Sequence, residues 1–93
     1  MFKPAAKLTM DNASETLAAG LRAIASGESD FDLSDMLSVD SSAVAILLEW
    51  QRQALQKGAP LRFGVLPANL QSLIDLYGVN DLLPASAADT RHH

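Results

Sequence analysis

Residues 39–48 read Val39-Asp40-Ser41-Ser42-Ala43-Val44-Ala45-Ile46-Leu47-Leu48, a short polar cluster set immediately before an apolar run. The first turn of a helix has free backbone N–H groups, and Asp and Ser side chains accept from them, so the cluster predicts a helix starting at Ser41 or Ser42. Gly58 should end it just after Lys57. The stripe expected to face the core is Val44, Leu47, Leu48, Gln51 and Leu55, which recur at helical period.

Upstream, Asp30-Phe31-Asp32-Leu33 alternates polar and apolar residues, the pattern of a strand with one face in the core. Before it, residues 12–25 read as an amphipathic helix. Leu17, Leu21 and Ile24 share a face with Ala13 and Ala25 beside them, Glu15 and Arg22 point away, and Asn12 with Glu15 has the spacing of a capping box. Gly27 is the stop. Residues 2–10, with Pro4 near the start and Leu8, Thr9 and Met10 at the end, read as a short edge strand. Downstream, Leu61, Phe63 and Val65 alternate with Arg62 and Gly64 as a third strand. Pro67 opens a last helix with the stripe Leu70, Leu73, Ile74 and Tyr77, and Gly78 follows. The order strand, helix, strand, helix, strand, helix predicts an α/β domain with a mixed or parallel sheet and helices mainly on one face. No segment repeats.

At 93 residues, 48% of them hydrophobic and 19% charged, the chain has room for one globular domain. It has no cysteine, which excludes disulfides, thiolate metal sites and thiol nucleophiles. Its histidines are His92 and His93, at the end of the chain, so no imidazole is expected in a catalytic or metal centre. A net charge of −4 with scattered basic residues argues against a nucleic-acid partner. The longest apolar run, 43–48, is far short of the roughly 20 residues a spanning helix needs, and residues 1–4 do not resemble a secretory signal, so a cytoplasmic location is expected. Gly20, Gly27, Gly58, Gly64 and Gly78 form no phosphate-binding loop. Asp30 and Asp32 pair on one strand face, as solvent-facing alternation often produces, with no base or ligand beside them.

Two features remain as candidate sites. Asp40, Ser41 and Ser42 put two hydroxyls at a helix entrance, where the positive dipole end tolerates an added phosphate. The simpler reading is an N-cap. With Val44 at zero and 100° per residue, Ile46 falls at about 200° and Trp50 at about 240°, opposite the expected core stripe. Ala43, Ala54 and the stem of Lys57 lie nearby, so this strip is either a partner surface or the seat of a neighbouring helix.

Phe31-Asp32-Leu33-Ser34, then Val39 to Leu48, Lys57-Gly58, Leu61-Arg62-Phe63 and Leu73-Ile74-Asp75-Leu76-Tyr77-Gly78-Val79 together resemble a STAS domain. The likeness spans residues 10–83 and is most specific at the D-L-S and D-S-S pair with its apolar helix; Ala43 stands where the motif often has Gly. The resemblance implies one STAS-like α/β domain over residues 1–84, with a mixed four- to five-stranded sheet backed by helices. It implies a binding module without catalytic residues, cofactor or metal. Residues 85–93 are expected to be a loose tail, its Arg91-His92-His93 native or the start of a tag.

Two branches of the family bear on function. The MlaB-like branch implies a small cytoplasmic subunit held at the inner membrane by its partner, the ATPase of a phospholipid-transporting ABC complex that maintains outer-membrane lipid asymmetry. Its important hydroxyl matches Ser41. The anti-sigma-factor antagonists imply phosphorylation of Ser42 by an anti-sigma kinase. The closing residues, Leu73 to Val79 with Leu82-Leu83-Pro84, are similar to the MlaB-like ending and favour that branch. For either partner the expected surface is Asp40, Ser41, Ser42, Ala43, Ile46 and Trp50.

Overall fold

The computed structural model describes residues 1–79. The expected tail over 85–93, and the last residues of the expected domain, lie outside the described residues. The elements in chain order are β1 (Lys7–Leu8), α1 (Ala13–Ala25), β2 (Ser38–Val39), α2 (Ser41–Gln56) and α3 (Ala68–Tyr77). The result is a small α/β domain in which α2 packs against α1 and also against α3.

β1 and β2 pair in parallel, Lys7 with Ser38 and Leu8 with Val39. Single parallel bridges join Phe2 to Phe31 and Asp30 to Arg62. Among the described residues the regular sheet therefore has two strands, and the expected four or five are not reached. The local cause is visible on both sides of Phe31. Phe2 donates to Asp30 O (3.0 Å) and accepts from Asp32 N (2.8 Å), but two residues on, Pro4 has no N–H to continue the ladder. On the other side Phe31 N donates to Arg62 O (2.9 Å) and Arg62 N to Ser29 O (2.8 Å), and then Gly64, at φ 65°, turns the chain away. Gln51 of α2 makes up part of the lost pairing, since its buried amide accepts from Leu61 N (2.8 Å) and donates to Leu61 O (3.4 Å). That exchange satisfies a backbone unit which would otherwise be orphaned in the core.

The core contains Leu8, Phe31, Leu33, Leu47, Leu61, Phe63, Leu70 and Ile74, all nearly inaccessible. At its centre is Trp50, fully buried, which corrects the expectation of an exposed strip. Its ring meets Phe2 (5.8 Å) and Phe31 (5.2 Å) edge to face, and its indole N–H donates to Leu17 O of α1 (3.0 Å). Ile46, 5% exposed, and Ala43, fully covered, are core residues as well. The physical reason is α1. Gly20 faces Trp50 so closely that a Cβ there would overlap the indole, and its missing side chain lets the two helices meet over the ring. The buried arc of α2 is thereby rotated by about 80° from the expected stripe, toward Trp50. Val44, Leu47 and Gln51 keep their expected places, whereas Leu55 is 56% exposed.

The helix ends follow the sequence with one exception. Asp40 caps α2 and Gly78, at φ 68°, ends α3. Asn12 precedes α1 without a side-chain cap. Its amide instead accepts from Thr9 N (3.1 Å) and donates to Lys7 O (2.8 Å), pinning the turn that leaves β1. The buried positions of α1 are Thr16, Gly20 and Ile24, with Leu17 and Leu21 partly covered. In α3, Leu70 and Ile74 are buried as expected; Leu73 is partly covered and Tyr77 is 52% exposed.

Candidate functional site

β1 and β2 run parallel, so both deliver their carboxyl ends to the same edge of the domain, where α2 begins beside the turn leading into α1. Asp40 sits at that junction. One carboxylate oxygen accepts from Ser42 N (2.8 Å) and the other from Met10 N (3.1 Å). One side chain thus caps α2 and ties it to the end of β1. The Met10 N–H, with further help from the Ser42 N–H and hydroxyl, holds the Asp40 carboxyl below its usual range against a smaller desolvation effect.

The two hydroxyls have different surroundings. Ser42 is half-buried and its hydroxyl turns to Asp40, whereas Ser41 is exposed. Ser41 borders a shallow groove between α2 and the end of α3, lined by Ser41, Val44, Ala45, Leu48, Tyr77 and Val79 and about 310 Å³ in volume. Apart from the serine and the tyrosine hydroxyl, those side chains are apolar. Leu76 (75% exposed) and Leu55 (56% exposed) are further apolar side chains on the surface of α3 and α2.

Of the six residues expected at the site, the structure brings Asp40, Ser41 and Ser42 together and places Ala43, Ile46 and Trp50 inside the core. Ala45, Leu48, Tyr77 and Val79 are the residues the sequence reading missed at this surface. Their signal was present in part: Ser41, Ala45 and Leu48 recur at i, i+4 and i+7 and so share one helix face.

Elsewhere, the acidic pair has structural partners. Asp30 accepts from Arg62 (2.9 Å), and Asp32 accepts from the Ser34 hydroxyl (2.6 Å) and N–H (3.0 Å). The Ser34 hydroxyl leads the causes that hold the Asp32 carboxyl below its usual range. Among the described residues no cluster of acidic or imidazole side chains could hold a metal ion. None of the described helices is long and apolar enough to cross a membrane. His92 and His93 lie outside the described residues.

A family model described as Mlab, STAS domain matches residues 5–84. Neither a curated protein nor a solved structure matches the chain.

Proposed function

The chain belongs to this STAS family, and we propose that it is a subunit without catalytic activity of its own, which binds and regulates the ATPase of a phospholipid-transporting ABC complex. Family membership supports a regulatory or binding role in general. The ATPase as partner, and with it a place at the inner membrane and a part in lipid asymmetry, follow from the likeness to the MlaB-like branch. The observation that carries the reading is the groove beside Ser41, an open apolar surface built from two helices and bordered by an exposed hydroxyl. Such a surface suits a partner's helix or loop, with apolar side chains seated between α2 and α3 and polar contacts at the Ser41 end.

Co-purification with the ATPase is the test. Ala45→Arg fills the groove from an exposed position and should reduce recovery about ten-fold while leaving the melting temperature unchanged. Equal recovery of the ATPase with this variant would remove the groove from the interface.

The second reading is the anti-sigma-factor antagonist, and the paired hydroxyls at the entrance of α2 favour it. A phosphate on Ser42 would bring a second negative group against Asp40 and compete for the Ser42 N–H, altering the end of the domain that a partner meets. Incubation with an anti-sigma kinase should then add one phosphate by intact mass, abolished by Ser42→Ala; unchanged mass excludes this reading.

A further inference from the structure

The segment from Phe2 to Thr9 uses its two sides differently. Its even-numbered residues face inward: Phe2 O accepts from Asp32 N (2.8 Å), Ala6 O from Leu37 N (2.7 Å) and Leu8 O from Asp40 N (3.4 Å). Alternation along an extended chain then turns the backbone groups of Lys3, Ala5, Lys7 and Thr9 to the opposite margin. Asn12 closes one end of that margin through its bonds to Lys7 O and Thr9 N. The other end is open. Among the described residues, the N–H and C=O groups of Lys3 and Ala5 have no hydrogen-bond partner. Pro4 stands between them at an inward position, so the N–H it lacks is lost from the inner ladder and not from this margin.

A cleft of about 280 Å³ lies along the open stretch, with Phe2, Pro4 and Ala5 on one wall and Glu15, Thr16 and Ala19 of α1 on the other. Thr16 is only 7% exposed, yet its hydroxyl has no hydrogen-bond partner among the described residues. Buried hydroxyls are ordinarily bonded, so this one has a contact to offer. Lys3 is held by Asp35 (2.7 Å), whereas Glu15 is exposed and has no ion-pair partner among the described residues. The uncompensated charge at the cleft is therefore negative.

We propose that this margin binds an extended peptide segment of a partner protein, which adds as a strand beside Lys3 and Ala5, sets an apolar side chain in the cleft and pairs a Lys or Arg with Glu15. Main-chain donors and acceptors two residues apart match the repeat of an extended peptide, and a pocket beside them reads its alternate side chains. The Thr16 hydroxyl supplies a polar contact inside the cleft, and the Glu15 carboxylate favours a basic residue. None of these residues lines the groove beside Ser41, so the site is independent of the ATPase reading.

A displayed library of random linear heptapeptides, selected against the full-length chain, provides the probes once the enriched sequences are synthesised. Those sequences should carry Lys or Arg among apolar, β-branched residues. Titrating one of them into isotope-labelled protein should slow amide exchange at Lys3 and Ala5 about ten-fold. Ala5→Pro removes an N–H that bonds nothing among the described residues, and should weaken peptide binding about ten-fold without changing the circular dichroism. Thr16→Val deletes the unpartnered hydroxyl at nearly constant shape. It should weaken binding several-fold while the melting temperature does not fall, the opposite of losing a structural hydrogen bond. Glu15→Lys should turn the preference toward acidic peptides. Failure to enrich any peptide overturns the site, and so does equal affinity of wild type, Ala5→Pro and Thr16→Val. Self-association in sedimentation that Ala5→Pro abolishes would make a second copy the occupant and overturn the assignment to a partner's segment.

Discussion

The two faces of α2 use their residues in opposite ways. The face toward α1 carries the largest side chain of the protein, Trp50, closed in by the bare backbone of Gly20 and by the rings of Phe2 and Phe31. The face toward solvent carries small residues, Ser41 and Ala45, and leaves a groove between itself and α3. The large aromatic residue therefore belongs to stability, and the groove is left on the opposite face, where Ser41 and Ala45 are too small to fill the space beside Leu48 and Tyr77.

That division can be broken in order of expected effect. Trp50→Ala removes a fully buried indole and its bond to Leu17 O, and should cost about 3–5 kcal/mol in chemical denaturation. A small domain has only about 5–15 kcal/mol in total, so this variant should be close to unfolding. Gly20→Ala adds a single methyl where the ring already sits, and should cost about 1–3 kcal/mol despite the better helix propensity of alanine. A Gly20→Ala protein as stable as wild type would mean that α1 and α2 do not meet over Trp50 as described.

Asp40→Ala is milder and reads the junction between the two faces. It should lower the melting temperature by a few degrees, through loss of the acceptor for Ser42 N and Met10 N. Because those bonds depress the folded-state carboxyl, its stabilising contribution is present above the ordinary aspartate value near 4 and is lost as pH falls below it. The difference between wild type and Asp40→Ala should accordingly be constant at neutral pH and shrink below about pH 4. A difference that does not change across that range would assign the effect to packing. Ser41→Ala, at an exposed position, should shift stability by less than about 0.5 kcal/mol. Its measurable effect is expected in ATPase affinity, which separates the recognition face from the core.

Much of the fold was legible in local signals. Asp40 before an apolar run, Gly58 and Gly78 after helices, and Pro67 ahead of α3 each placed a boundary from residue chemistry alone. The strands were less legible. Alternation at Leu61, Phe63 and Val65 and at Phe31 and Leu33 identified inward-facing side chains, but whether a ladder continues depends on its neighbours' free N–H groups, and Pro4 and Gly64 interrupt it. At the site, the polar cluster was recoverable because a helix entrance is a local event. The rotation of α2 was not, because it depends on Gly20 lying opposite Trp50, a residue distant in sequence. Read without that contact, Trp50 and Ile46 fall on the open side of the wheel and Leu55 on the closed one, the reverse of what the packing produces.

The placement of the single tryptophan has one more consequence. Its indole is locked to the Leu17 carbonyl and shielded from solvent, while the groove lies on the other side of the same helix. Intrinsic emission excited at the indole band is therefore a gauge of the separation of α1 from α2. Titrations that occupy the groove should leave its wavelength unmoved, whereas loosening of the helix pair should shift it to the red.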